Sequence, residues 1–325
     1  MEWNKRMKVS ARKSYIFEEG YPVPCCHAST VLCLPGGDLL AAWFGGTSEG
    51  DPDVDIWMSR CEQGEWSPPF KIAEEEGLPH WNPVLFLSPE GTVMLYYKVG
   101  HTIPYWHTRV MSSADGGRTW SEPRKLVEDD IGGRGPVRNK PIVLRSGTWA
   151  APASTEIGDW DAFVDLSHDG GITWTASSIV PFDHSRSKGK GIIQPALWES
   201  GEGNLHMLLR STEGYIYRSD SADDGRTWSP AAPIAIPNNN SGIDLVQLQD
   251  GTLALAYNPV SGDGGARTPI VLALSQDNGK TWTDVLIMDE GPGEYSYPSI
   301  SVSGSVLYVT YSWNRQRIAC WEIAL

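Results

Sequence analysis

The chain has 325 residues, among them 34 Gly, 23 Pro, 15 Trp and 12 Tyr, and a formal net charge of −14. The acidic balance argues against nucleic acid or an anionic membrane as partner, yet a few arginines can still make a local pocket for a small anion. No stretch is apolar for long enough to span a bilayer, and no long amphipathic helical pattern occurs, so one all-β domain over 1–325 is expected.

Taken from the N-terminus, MEWNKRMKVSARKSYIFEEG has basic residues but no apolar run, which predicts no secretory leader and a cytoplasmic location. Cys25, Cys26, Cys33, Cys61 and Cys320 are odd in number and form no CxxC pair, so reduced thiols are expected rather than a disulfide framework or a zinc site. Six β-rich runs then follow: TVLCLPGGDLLAAWF, PVLFLSPEGTVMLYYKV, PIVLRSGTWAAPAS, PALWESGEGNLHMLLRS, DLVQLQDGTLALAYN and PSISVSGSVLYVTYSW. Each reads as two apolar-alternating strands around a Gly-containing turn.

Five of these hairpins precede a third strand (VDIWMSR, YWHTRVMSS, WDAFVDLSH, GYIYRSDSA, IVLALSQ) and then a turn. That turn recurs as SADGGRTW (113–120), SHDGGITW (167–174), SADDGRTW (221–228) and SQDNGKTW (275–282), with a faded copy, SRCEQGEW, at 59–66. A fixed period of this length means stacked or radial repeats. Four antiparallel strands per repeat predict an all-β, six-bladed β-propeller of roughly 54 residues per blade. The last unit stops at RIACWEIAL, its third strand, so SYIFEEG near the N-terminus is expected to supply the fourth and close the ring.

The turn itself reads as scaffold: Ser and Asp serve backbone N–H groups, Gly takes positive φ, and Trp packs beside it. Strand parity puts these turns on one face and the long loops (45–54, 99–108, 128–139, 181–193, 258–268, 290–296) on the other. First-strand starts carry His27, Asn82, Lys140, Gln194, Asp244 and Tyr295/Tyr297 to that second face. Lys98, Glu156, Arg210 and Asn258 lie at or near second-strand ends, Arg267 lies in a long loop, and Asp51 follows the first blade's loop. Such a set around one axis is what a polar-ligand pocket needs. DPDVD at 51–55 lacks the glycine of a calcium loop, and no metal or other cofactor is expected. The basic loop HSRSKGKG (184–191) reads as a mobile lid or a flexible linker.

With these residues in place, the chain resembles the sialidase superfamily, the Asp-box (BNR-repeat) six-bladed propellers, over essentially its whole length. That resemblance implies three arginines clamping a substrate carboxylate, an acid/base aspartate, and a tyrosine nucleophile assisted by a glutamate. Asp51 lines up with the aspartate, Arg210 and Arg267 with two arginines, and Tyr295 with the tyrosine, Tyr297 being close by. The sequence departs at His27-Ala28-Ser29, where the family's first arginine is missing, and at Gln194, where the glutamate precedes a proline.

His27 is a stand-in base. Asn82, Lys98, Lys140 and Glu156 are expected to contact substrate. Three readings stay open: hydrolysis of a terminal acidic sugar with Asp51 and Tyr295; β-elimination of a uronate glycoside using His27, Tyr295 or Tyr297, and Gln194; and a non-catalytic glycan-binding propeller. The expected partner in each is an acidic oligosaccharide.

Overall fold

The computed structural model describes residues 9–130 and 132–325; positions 1–8 of the basic N-terminal stretch lie outside the described residues. Six antiparallel sheets surround one axis. Blade 1 is built from Cys25–Cys33, Leu39–Gly46 and Asp55–Glu62, with a split outer edge of Glu65–Trp66 and Phe70–Ala73. Blades 2, 4 and 5 begin with inner strands His80–Leu87, Ile192–Glu199 and Asp244–Gln247, while blade 3 has only Ile142–Val143 there.

Blade 6 pairs Tyr295–Ser303, Val306–Trp313 and Arg317–Ala324, and its fourth strand comes from the N-terminal side of the chain. That strand is Ser10–Tyr15, running antiparallel to the C-terminal strand with Ser10 opposite Ala324. It starts four residues ahead of the SYIFEEG segment expected to close the ring. The apolar pair that follows, Ile16 and Phe17, stays beside the C-terminal strand, with the Ile16 N–H on the Ile318 carbonyl, and packs into the seam between blades 6 and 1 against Trp43. Each of the other five seams likewise holds a buried apolar cluster, so the ring is packed all the way round.

The Asp-box turns repeat a common set of contacts, with small differences in the third, where the Arg226 N–H goes to the Asp223 carbonyl. Asp115 accepts the Arg118 and Thr119 N–H groups and the Thr119 hydroxyl, and Ser113 takes the Gly117 N–H. Asp169, Asp223 and Asp277 accept the hydroxyls of Thr173, Thr227 and Thr281 in the same way. The faded copy keeps its register but replaces the box with a tight hairpin, Gln63 and Gly64 both at positive φ and Glu62 opposite Glu65. No helix of the described residues is long and apolar enough to cross a membrane.

Candidate functional site at the mouth of the axis

In four blades the inner strand breaks its ladder at one equivalent place. Register shifts fall between His27 and Thr30, Trp81 and Val84, Ile193 and Ala196, and Ser296 and Ser299. Each break holds one non-glycine residue at positive φ: Ala28 (52°), Asn82 (40°), Gln194 (54°) and Tyr297 (58°). A bulge inserts a residue and re-aims its side chain, and left-handed backbone there stores on the order of 1–3 kcal/mol per residue. Four such positions around one axis single out this end of the molecule from the Asp-box end.

Tyr297 is the centre of what the bulges gather. Arg210 Nη1 donates to the Tyr297 hydroxyl oxygen at 2.7 Å and to Gln194 Oε1 at 3.0 Å, while Arg210 Nε donates to Asn240 Oδ1 at 2.7 Å. Because Arg210 is the donor, the phenolic proton of Tyr297 is free to point elsewhere. The guanidiniums of Arg210, Arg138 and Arg267 lie 5.6, 5.5 and 5.2 Å from the Tyr297 ring centroid. His27 packs its ring 4.3 Å from that of Tyr297, with both nitrogens buried and unpartnered. Burial first, then Arg315, Arg267, Arg138 and Arg210, hold this imidazole well below the ordinary histidine value, so it is neutral.

Charge is unevenly balanced here. All three Arg210 partners are neutral side chains. Glu156 acts on Arg210 only at longer range, and burial raises its carboxyl against the pull of Arg210, Lys190 and Lys98. Arg267, by contrast, is paired: its Nη1 lies 2.7 Å from Glu294, which also takes Arg315 Nε at 3.0 Å. Burial would raise Glu294, but these two guanidiniums outweigh it and keep the carboxyl low.

The remaining sequence-predicted residues divide clearly. Gln194, Arg210, Arg267, Tyr297 and His27 come together. Tyr295 does not: its ring packs in the core between blades 5 and 6, 6.2 Å from Trp313, and its hydroxyl donates to the Pro292 carbonyl. Asp51 is half-buried in its loop, with its N–H on the Ser48 carbonyl, and no side-chain hydrogen bond joins it to Tyr297 among the described residues. Asn82 occupies the blade 2 bulge.

Lys98 is fully buried away from the axis, its amine on the Thr108 hydroxyl at 2.7 Å and the Arg134 carbonyl at 2.6 Å, and burial pulls it down to about 8. Lys140 is committed to Asp244 at 2.8 Å. The basic 184–191 loop is tied down rather than free, because the Glu213 carboxylate accepts from the Ser187 hydroxyl and the Lys188 and Gly189 N–H groups. Near it, Trp160 stands between blade 3 and Arg210, 5.6 Å from that guanidinium.

Arg138, Asn240, Glu294, Arg315 and Trp160 escape a reading by strand ends. The one signal for Arg138 is its place in GPVRNKP, directly before the shortest inner strand. Glu294 is the first residue of the EYSYP segment and is visible only through its neighbours there.

Residues 37–309 match the BNR repeat-like domain family. Over 251 residues the chain is 25% identical to a sialidase of Clostridium perfringens, a match covering 62% of this chain and 61% of that protein. It therefore spans less than two thirds of that relative's length. Among solved structures, a protein of unknown function from Dyadobacter fermentans superposes with a TM-score of 0.78 at 17% identity, covering 97% of this chain and 99% of the other. A Hadza microbial sialidase gives 0.79 at 18% identity over 96% and 68%. Trypanosoma rangeli sialidase bound to the inhibitor DANA gives 0.77 at 13% over 97% and 59%. At these identities the likeness is one of fold.

Proposed function

We propose that this chain, which belongs to the BNR repeat-like family, is a sialidase-like enzyme that cleaves a terminal acidic sugar, an ulosonate or uronate, from an oligosaccharide by hydrolysis. The observation that carries the reading is Arg210. A nearly buried guanidinium whose hydrogen-bond partners are all neutral is costly unless an anion arrives to balance it. Its planar fork suits a carboxylate.

In the proposed reaction the sugar carboxylate docks at Arg210 and Arg267. The Tyr297 hydroxyl gives its proton to a base, the role assigned to the neutral His27, and its oxygen attacks the anomeric carbon while the bond to the leaving oxygen breaks and that oxygen takes a proton from an acid. A phenol suits this task, because a carboxylate nucleophile would be repelled by the sugar's own charge. Water then adds to the anomeric carbon and returns a proton to the acid, while the Tyr297 oxygen leaves and recovers its own proton from the base. Asp51 fills the acid role by its resemblance to the family's aspartate. His27 is buried behind Tyr297 and acts on it, not on the sugar.

Gln194 favours a second reading. An amide where a general base would stand cannot accept the Tyr297 proton for good, yet it can help neutralise a uronate carboxylate beside Arg210. That arrangement suits β-elimination, with Tyr297 moving the proton.

Mass spectrometry of acidic oligosaccharides incubated with the protein separates the two. Products summing to substrate plus one water support hydrolysis; products summing to the substrate, with an unsaturated uronate, transfer the site to elimination. No cleavage of any sialic, deaminated sialic, glucuronic or rhamnosyl-glucuronic terminus removes the enzymatic proposal in favour of glycan binding.

A further inference from the structure

Blade 3 lacks most of its inner strand, and the residues ahead of Ile142 reach across the axis instead. Three consecutive side chains brace three different blades. Arg138 Nη2 donates to the carbonyls of Tyr297 (2.6 Å) and Pro298 (2.8 Å) in blade 6. Asn139 Nδ2 donates to the carbonyls of Gln194 (3.1 Å) and Pro195 (3.0 Å) in blade 4. Lys140 reaches Asp244 and the Leu245 carbonyl in blade 5.

The first two contacts are the same job done twice. A bulge leaves consecutive carbonyls outside the ladder, and buried carbonyls need donors. At Gln194 a neutral amide suffices. At Tyr297 the chain uses a guanidinium that is 1% exposed, forms no direct ion pair among the described residues (Asp244, the carboxylate that acts on it, is bonded to Lys140), and leaves its Nε unpartnered. A buried, unpaired charge is expensive, so holding the bulge does not explain it. What the charge does have is a place 5.5 Å from the Tyr297 ring centroid, on a side chain buried from solvent. Burial lowers Arg138 to about 10, which still leaves it cationic at neutral pH.

We infer that Arg138 is a positioning residue that both locks the Tyr297 bulge and stabilises negative charge on the Tyr297 oxygen during the reaction. The inference rests on Tyr297 being the reactive group. It differs from the proposed roles of Arg267, which faces the substrate carboxylate, and of Arg210, which faces it while also donating to the Tyr297 oxygen.

The test compares Arg138→Gln, Arg138→Lys and Tyr297→Phe with the wild type on whichever acidic glycan the wild type cleaves. Thermal melting checks that each variant folds. Glutamine keeps an amide for the carbonyls and removes the charge; lysine keeps the charge. The expected result is a kcat about 10²-fold lower for Arg138→Gln at nearly unchanged KM, a pH–rate profile displaced to higher pH, and recovery to within about tenfold in Arg138→Lys.

A folded Arg138→Gln with wild-type kcat, beside an inactive Tyr297→Phe, overturns the role of Arg138 alone. An active Tyr297→Phe overturns the reading of the site itself. If the glutamine variant does not fold, the lysine variant decides: folded but as slow as Tyr297→Phe, it shows that the charge is not what matters, whereas near-wild-type turnover supports the inference.

Discussion

The two faces of the ring use the same kinds of polar side chain to opposite ends. On one face, the four Asp boxes are closed on themselves: Asp277, for example, takes two N–H groups and two hydroxyls from its own turn. Its carboxyl is held at about 2, chiefly by the Thr281 hydroxyl and then the Thr281 N–H. On the other face, Arg210 has only neutral partners, and Arg138 and His27 leave buried nitrogens unpartnered. A satisfied turn needs no ligand and repeats with little change. An unsatisfied cluster occurs once and needs something to complete it. Repetition thus marks the scaffold here, and departure from it marks the site.

Breaking the unsatisfied face has the largest expected effect. Tyr297→Phe removes one oxygen while keeping the ring against His27 and the three guanidiniums, and turnover is expected to fall by at least about 10³-fold with little change in melting temperature. Assay beside a melting curve checks both halves of that statement. Arg210→Met follows, with kcat/KM down about 10²–10³-fold and most of the loss appearing as weaker binding of the anionic sugar. Comparing the acidic substrate with its carboxamide in steady-state kinetics tests the attribution, because the variant should discriminate between them far less than the wild type does.

Gln194→Glu sharpens the comparison by making the mouth resemble a satisfied site. A carboxylate 3.0 Å from Arg210 Nη1 would balance the guanidinium internally, so the substrate carboxylate must compete with it, and KM is expected to rise about tenfold. A rise in kcat instead would mean that Tyr297 had been waiting for a base. The smallest effect belongs to the closed face. Asp277→Asn should leave kcat/KM unchanged and lower the melting temperature by a few degrees.

The pH dependence of that last variant has a fixed sign. A carboxyl whose folded value lies below its unfolded one stabilises the fold above about pH 4, and the contribution disappears as pH falls from about 4 towards 2. The melting-temperature gap between wild type and Asp277→Asn should therefore close over that interval in acid.

The 54-residue period, the Asp boxes and the alternating hairpins were enough to read the propeller from the sequence, because turn chemistry and side-chain alternation are local. They also placed His27, Gln194, Arg210 and Arg267 on one face, where the structure gathers them around Tyr297, since strand parity carries that information. Parity could not separate Tyr295 from Tyr297: two residues apart on a regular strand, they should share a side. The bulge at Tyr297 breaks the alternation, sending Tyr295 into the core and Tyr297 to the axis. Nor could it find Arg138, whose partners lie 159 and 160 residues away across the ring. Local pattern determined the blades; contacts that exist only once the ring has closed decided which tyrosine stands among the arginines and which of those arginines form no ion pair.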